Sequence, residues 1–435
     1  MKQIYALLTV ILVITVFCGC NKASTQSSSS SQLVLSQGTD ASKPQQVNDS
    51  PAEQELKIVS KENTKIKAQM INTDLLRFTR VLGTRKSFEN ALPEPVKYDE
   101  PYLYYENMAV VMANSTDSSD TVNIGQFNVQ TGENKKLSKI NMNIMAESQL
   151  LMNEQAIFYL PNRIDENKVN WLDIILLDAA KGTQKTVASY PSGSVFAYSK
   201  KLNDTQAVFF LYQQKDSTVR KLEQLVIKYD ITTETLTTLY EGKPMDWTNK
   251  TSTNDIWAMD IFENNIYLLR HQLVDNNMKT FLQILDANGA EISQTELSAL
   301  QKYNNKDITV GEITVLKNFV VLNYSNKNSV VLKKVNDEYI PLKLPSIKLK
   351  KLLTPLPVND RYAFFSIGAL NSKDIETIFV LDLKNEHGTL VKLDVPNCSK
   401  ILGDSDGNLI VLSASDEEEN LYTVNAKDIL ATSVH

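Results

Sequence analysis

The segment 264–289, NNIYLLRHQLVDNNMKTFLQILDANG, contains the two features that decide the fold. It begins with an asparagine turn that leads into an apolar, β-rich run, and it ends with a second such run that enters the polar turn at 286–289. Aliphatic and aromatic runs bounded by Asn, Asp and Gly are typical of β-strands joined by tight turns. The segment therefore predicts antiparallel strands and no regular helix.

Both features recur along the chain. The turn before a β-rich run is found at Asn107, Asn153, Asn203, Asn264, Asn318, Asn359 and Asp406. The strand that enters a polar turn is found at Asn128, Asp178, Asp230, Asp286, Asn336, Asp382 and Asn425. Each series advances by about 50 residues per step, and two markers that keep one period seven times indicate a repeated unit.

Each unit contains four strand-like runs joined by turns and loops, which is the pattern of a propeller blade. We predict an all-β protein, a seven-bladed β-propeller of four-stranded antiparallel blades, over residues 97–435. Residues 55–96 lack the repeat, and their apolar residues have roughly helical spacing at Met70, Ile71, Leu75, Leu76, Phe78 and Val81. We expect an N-terminal extension that packs on the propeller and lends a strand to close the ring. An eighth, degenerate blade is the alternative.

The turns of the repeat resemble those of bacterial extracytoplasmic propellers, including quinoprotein-like and YVTN-type propellers. The units lack the Gly-His and Trp-Asp marks of WD repeats and the Asp-box of sialidases. The resemblance covers most of the chain and implies the fold. Because generic turns carry it, it names no activity.

The N-terminus has the features of an export signal. Lys2 precedes an apolar run over 4–17, which is shorter than a bilayer-spanning helix and suits the core of a signal peptide. The next residues, Phe17-Cys18-Gly19-Cys20, resemble the lipobox of bacterial lipoproteins. This resemblance implies that residues 1–19 are removed and that Cys20 is lipidated, which anchors the protein on the extracytoplasmic side of the cell membrane. The alternatives are an uncleaved membrane anchor and ordinary secretory cleavage.

Residues 20–54 form a predicted linker. Ser, Gln, Thr, Asp and Pro dominate this stretch, and its one apolar cluster is Leu33-Val34-Leu35. Such a composition buries too little apolar surface to offset the chain entropy lost on folding. We therefore expect a disordered, flexible tether between the lipidated Cys20 and the folded part.

Composition and missing motifs exclude several classes of function. The chain has 435 residues and a net charge of −6, which argues against a nucleic-acid partner. The chain has three histidines, which argues against a histidine-rich metal site. Of its three cysteines only Cys398 lies outside the signal and lipobox, which argues against a disulfide framework. No P-loop, H-E-x-x-H, C-x-x-C or G-x-S-x-G motif occurs. We expect no catalytic residue, no metal and no cofactor.

The residues from Asp404 to Asn408 resemble the start of a calcium loop. No carboxylate follows at the position that would close the loop, and the run falls where the other units have a simple turn. The sequence therefore favours a turn.

The best candidate for a binding site is the longest connection between blades, which contains Asp246 and Trp247. In propellers such connections share one face with the loops between second and third strands, and Tyr190 and Tyr303 are expected on that face. An aromatic side chain on a long loop suits a carbohydrate or peptide ligand. Trp247 could instead fill a gap between blades, and Trp257 is assigned to the core.

These observations favour a membrane-anchored, non-catalytic binding or assembly propeller. Its expected partner is another envelope protein or a glycan or peptide ligand. The alternative is a hydrolase that cleaves cell-surface glycan or peptide with carboxylates near the channel. A structural or stress-sensing role is a third hypothesis. The sequence leaves open whether the host envelope is a Gram-positive surface or a Gram-negative periplasm.

Overall fold

The structure is a computed structural model. It describes residues 54–55, 57–82, 86–109, 120–142, 146–153, 156–178, 181, 183–191, 198–213, 221–242, 245–246, 255–274, 277–300, 310–324, 329–343, 356–358, 361–367, 377–404, 406–415 and 418–433. The expected signal peptide, Cys20 and nearly all of the tether lie outside these residues. In the described part, no helix has the length and hydrophobicity needed to cross a bilayer.

Five strands precede the repeated units. They are β1 (Gln54–Glu55), β2 (Lys57–Ile66), β3 (Gln69–Met70), β4 (Phe78–Leu82) and β5 (Lys86–Ala91). A 3-10 turn at Asp74–Leu76 lies between β3 and β4, and β4 and β5 form an antiparallel hairpin. Met70, Ile71, Leu75 and Leu76 have roughly helical spacing in the sequence, but they lie on β3, on the 3-10 turn and between the two.

The described residues after β5 form a seven-bladed propeller of antiparallel sheets. The first three blades contain β6 (Glu94–Asp99), β7 (Tyr102–Ala109), β8 (Asp120–Asn128) and β9 (Asn134–Met142); β10 (Ala146–Asn153), β11 (Ala156–Ile164), β12 (Asn170–Asp178) and β13 (Thr183–Pro191); and β14 (Tyr198–Lys201), β15 (Gln206–Gln213), β16 (Lys221–Asp230) and β17 (Thr235–Glu241), with β18 (Met245–Asp246) pairing with β16.

The next three blades contain β19 (Asp255–Phe262), β20 (Asn265–Val274), β21 (Asn277–Leu285) and β22 (Glu291–Glu296); β23 (Val310–Leu316), β24 (Phe319–Tyr324), β25 (Ser329–Val335) and β26 (Glu338–Lys343); and β27 (Leu356–Val358), β28 (Tyr362–Ile367), β29 (Thr377–Asp382) and β30 (His387–Leu393). A 3-10 turn, Ser298–Leu300, follows β22. The seventh blade contains β31 (Cys398–Gly403), β32 (Leu409–Ala414) and β33 (Glu419–Val424), and helix α1 (Ala426–Ser433) follows it.

The first strand of each blade lies toward the centre of the ring. Neighbouring first strands contact one another, as β10 does with β14 and β19 with β23, and β31 contacts β6 where the ring closes. The carboxylate of Asp260 on β19 accepts a hydrogen bond from the main-chain N–H of Val315 on β23 at 2.7 Å. Lys200 on β14 lies 3.2 Å from the same carboxylate. Three successive inner strands are thereby linked through one buried carboxylate.

The polar turns of the repeat have a common mechanism. The side-chain oxygen of the Asn or Asp that ends or directly follows the third strand accepts main-chain N–H groups two to four residues later, as at Asn128, Asp178, Asp230, Asp286 and Asp382. Such side chains satisfy the donors of a tight turn and so fix where the strand ends. The period read from the sequence is therefore a period of turns.

Two of the assigned repeat positions differ from this pattern. Asn107 lies inside β7, and the turn before that strand falls at 100–101, so the first blade begins at Glu94 and lacks the repeated asparagine. After Asn425 the chain enters α1, so the last unit has no fourth strand of its own. Asn425 is the N-cap of α1, since its side-chain Oδ1 accepts a hydrogen bond from the main-chain N–H of Lys427 at 2.9 Å.

Buried apolar side chains fill the space between each pair of neighbouring blades. Phe158 and Phe209 pack edge to face between the second and third blades, with ring centroids 5.2 Å apart. In the described residues one such cluster lies at every junction of the ring, including the junction between the seventh and first blades. The blades therefore stabilise one another through a continuous series of interfaces.

The strands before the first blade cover the outer edges of the last three blades. β1 pairs in parallel with β26, and β2 pairs in parallel with β30. β3 pairs antiparallel with β33 and serves as the fourth strand of the seventh blade. A strand from the N-terminal side thus completes the last blade, which joins the two ends of the ring.

Candidate functional site

The structure describes only part of the site nominated from the sequence. Tyr190 lies at the outer strand of the second blade, one residue before β13 ends, and its half-buried ring packs against the cluster between the second and third blades. Burial raises the pKa of its phenol. The main chain of Asp246 lies on β18, paired with Lys221. Trp247 and Tyr303 lie outside the described residues, so the four positions stay a prediction.

Trp257 and His271 form an aromatic contact at the end of the fourth blade that faces the connections between blades. Their ring centroids are 4.9 Å apart and the planes are inclined by 69°. The Trp257 side chain is half-buried, and His271 is buried beside Thr280. Burial lowers the pKa of His271 to about 4, so its imidazole is neutral at physiological pH. The pair contributes to the packing of the blade.

A cleft of about 930 Å³ lies on the opposite face, where the seventh blade meets the first. We call it the closure cleft. In antiparallel blades the turn between strands one and two and the turn between strands three and four point to the same side. The cleft is built from such turns of both blades, from β3 and the 3-10 turn, and from α1. Its lining comprises Lys67, Gln69, Met70, Ile71, Asn72, Asp74, Leu75, Tyr98, Glu100, Val129, Gln130, Thr131, Gly132, Asn408, Thr423, Val424, Asn425 and Asp428.

Asn408 connects the elements at the base of the cleft. Its Nδ2 donates to Glu100 Oε2 at 2.7 Å and to Asp404 Oδ2 at 3.1 Å, and its Oδ1 accepts the N–H of Ala426 at 3.1 Å. Glu100 also accepts a hydrogen bond from Gln130 Nε2 at 3.2 Å. One amide thus joins both blades and the start of α1, which holds the walls of the cleft in place.

Asp404 forms the turn that places Asn408. Its Oδ1 accepts the main-chain N–H of Asp406 and of Asn408, both at 2.9 Å, and Gly407 adopts a φ of +84°. A positive φ suits glycine, because it lacks the Cβ that disfavours this conformation. The run that resembles a calcium loop is therefore a tight turn here. The described residues contain no group of three or more His, Cys, Asp or Glu side chains placed to hold a metal.

The cleft combines apolar and polar surface. Met70 is 58% exposed and Leu75 is 70% exposed, and both line it. Large apolar side chains with that much exposure are scarce in the described part of the chain, where Leu236 and Ile292 are the other examples. The convergence of Met70 and Leu75 in one concave region is the arrangement expected of a binding site.

The charged lining is mainly acidic. Asp74, Glu100 and Asp428 face the cleft together with one cation, Lys67. The phenol of Tyr98 also lines it, and burial, with the nearby carboxylates of Glu100 and Asp404, raises its pKa. The Tyr98 hydroxyl is therefore protonated and can donate or accept a hydrogen bond.

Sequence reasoning missed this cleft. Met70 and Leu75 were recognised as apolar positions of the extension, but the surface that they would adjoin was not identifiable. Gln130 and Asn408 belong to turns that look like the other turns of the repeat. The only available signal was that the last unit lacks a fourth strand after Asn425, which implies a strand from elsewhere at that edge.

Comparisons with known proteins find likeness at the level of solved structures alone. No protein-family model matches the chain, and no curated protein matches its sequence. Among solved structures, oligogalacturonate lyase from Vibrio parahaemolyticus is 13% identical over 83% of this chain and 98% of its own, with a TM-score of 0.45. The β-propeller domain of the Trilobed protease from Pyrococcus furiosus is 10% identical over 77% and 94%, with a TM-score of 0.46. Likeness at this level assigns no activity.

Proposed function

We propose that this protein is a lipid-anchored, extracytoplasmic binding module and that the closure cleft holds its ligand. The observation that carries the proposal is the convergence of exposed Met70 and Leu75 with polar turn residues in one cleft of about 930 Å³. Mixed apolar and polar linings of this kind suit recognition of a peptide or protein segment. The non-catalytic role and the membrane location belong to this proposal.

The anchor is supported by the sequence. The lipobox-like residues before Cys20 imply acylation, and the Ser-rich tether would separate the propeller from the membrane surface. The tether joins the folded part at β1, on the outer edge of the fifth blade. In this arrangement the propeller would present its faces to neighbouring envelope components.

The test is affinity capture of the full-length protein from membranes of its own host after chemical crosslinking, with mass spectrometry as the readout. The Cys20→Ala variant is the control for the anchor. We expect a specific set of envelope proteins that is lost when Cys20 is replaced. Capture of the same proteins by both forms would contradict the anchored role. Release of soluble products from cell-wall glycan or peptide by the purified protein would contradict the non-catalytic role.

A further inference from the structure

Among the described residues, no strand pairs with the outer edge of β3. The N–H of Ile71 donates to the carbonyl oxygen of Leu421 at 2.9 Å, and Met70 lies opposite Tyr422. Main-chain groups alternate in direction along an antiparallel pair. The N–H and C=O of Met70 therefore point away from β33, and Met70 itself is part of the cleft lining. Such an edge can accept another extended chain.

The same chain shows that outer edges of this propeller accept extended segments. β1 adds to the outer strand of the fifth blade, with Gln54 opposite Leu342, and β2 adds to the sixth, with Lys57 opposite His387. Beyond β3, by contrast, no strand of the described residues continues the seventh blade. The seventh blade thus ends on an edge of the kind that β1 and β2 cover in the fifth and sixth blades.

The surface beside this edge defines the chemistry of a partner. Exposed Met70 and Leu75 offer apolar contact. Three carboxylates, Asp74, Glu100 and Asp428, outnumber the single cation Lys67 in the lining. Side chains of an added strand alternate between two faces, so a segment with basic and apolar residues in alternation could satisfy both parts of the surface.

We propose that the closure cleft binds an extended segment of a partner protein that carries basic and apolar side chains, and that this segment pairs with the outer edge of β3. The inference rests on the proposed function, since it names the chemical class of the ligand of the same cleft. Charge complementarity with the acidic lining favours a basic segment over an acidic one. Main-chain pairing favours a polypeptide over a glycan.

The test measures fluorescence anisotropy of short labelled peptides with the detergent-solubilised full-length protein. The probes are a peptide of alternating Lys and Val, its Glu and Val counterpart, and the basic peptide N-methylated at alternate residues. We expect the basic peptide to bind at least about fivefold more tightly than the acidic one. We expect N-methylation to weaken binding about fivefold, because it removes main-chain donors.

A matched pair of variants locates the effect. Asp74→Asn with Asp428→Asn removes two cleft charges and leaves Glu100 with its hydrogen bonds, and we expect about fivefold weaker binding of the basic peptide. Glu166→Gln with Asp337→Asn removes two exposed charges outside the lining and should leave binding unchanged. Equal affinity for the basic and acidic peptides, or equal effects of the two double variants, would overturn the inference.

Two further results would separate the chemistry of the bound segment from the binding role of the protein. Binding of a labelled chitin oligosaccharide that the Asp74→Asn and Asp428→Asn double variant weakens, with no binding of the peptides, would replace the peptide ligand with a glycan and leave a binding module in place. If a crosslinker at Leu75 captures an envelope protein although the basic peptide does not bind, the segment chemistry is wrong and the binding role stands.

Discussion

Asn408 Nδ2 donates to Glu100 Oε2 at 2.7 Å across 308 positions of sequence, and this hydrogen bond joins the last blade to the first at the base of the closure cleft. The same amide contacts Asp404 and the N–H of Ala426. The closure of the ring and the shape of the cleft therefore depend on the same side chain. A single substitution should affect both.

Asn408→Ala is expected to lower the free energy of unfolding by about 1–3 kcal/mol, because it leaves Glu100, Asp404 and the Ala426 N–H without the partner that they share. Urea denaturation followed by circular dichroism measures the change. Asn288→Ala is the control, since Asn288 is exposed in a turn of the fourth blade and should change stability by less than about 0.5 kcal/mol. Similar losses in both variants would show that Asn408 has no special role.

Ile71→Ala should destabilise the ring by about 2–4 kcal/mol, because Ile71 is buried in the cluster between the seventh and first blades. Leu75→Ala, only four positions away, removes an exposed side chain and should cost less than about 0.5 kcal/mol. The contrast is measured by thermal or urea unfolding of both variants. Equal destabilisation would mean that the extension is not part of the closing interface.

The number of blades was predictable from the sequence because each turn is encoded locally. The side-chain oxygen of an Asn or Asp at the end of a strand accepts hydrogen bonds from main-chain N–H groups a few residues later, as Asp286 does from Asn288 and Ala290. The signal therefore needs no distant partner. Asn107 was misassigned because the first blade uses a different turn, and the real turn lies several residues earlier.

The site was not predictable for the opposite reason. The closure cleft depends on contacts between residues far apart in sequence, such as Asn408 with Glu100 and Ile71 with Leu421. Local patterns assigned helical spacing to the extension, whereas pairing with β33 makes Gln69–Met70 a strand. Tertiary pairing thus overrode a weak local preference.

Gly388→Ala tests how tightly the fifth and sixth blades pack. A Cβ at Gly388 would lie 2.1 Å from the ring of Phe379, a fully buried side chain, so one of the two must shift. We expect a loss of about 1–3 kcal/mol in the free energy of unfolding. Adding Phe379→Leu to Gly388→Ala should recover part of the loss, because the smaller side chain leaves room for the methyl group. A double variant whose losses merely add would argue against the steric conflict.

His271 should make stability depend on pH below neutrality. Burial lowers the pKa of the His271 imidazole from 6.5 to about 4 in the folded protein, so between these pH values the unfolded chain binds more protons than the folded one. The contribution of His271 to the free energy of unfolding is therefore complete above pH 6.5 and is lost as the pH falls toward 4. At pH 5 the free energy of unfolding is lower by about 2 kcal/mol. His271→Phe should remove this part of the pH dependence in urea titrations. Parallel pH profiles for the two proteins would rule out the assignment.

A photo-crosslinking amino acid at two exposed apolar positions would show whether a lipid-anchored propeller binds its partner in the closure cleft. One replaces Leu75 in the cleft, and the other replaces Ile292 on the outer strand of the fourth blade. In host membranes we expect a discrete adduct with an envelope protein from position 75, none from position 292, and loss of the adduct when Cys20→Ala is added. The same adducts from both positions, or none from position 75, would contradict it.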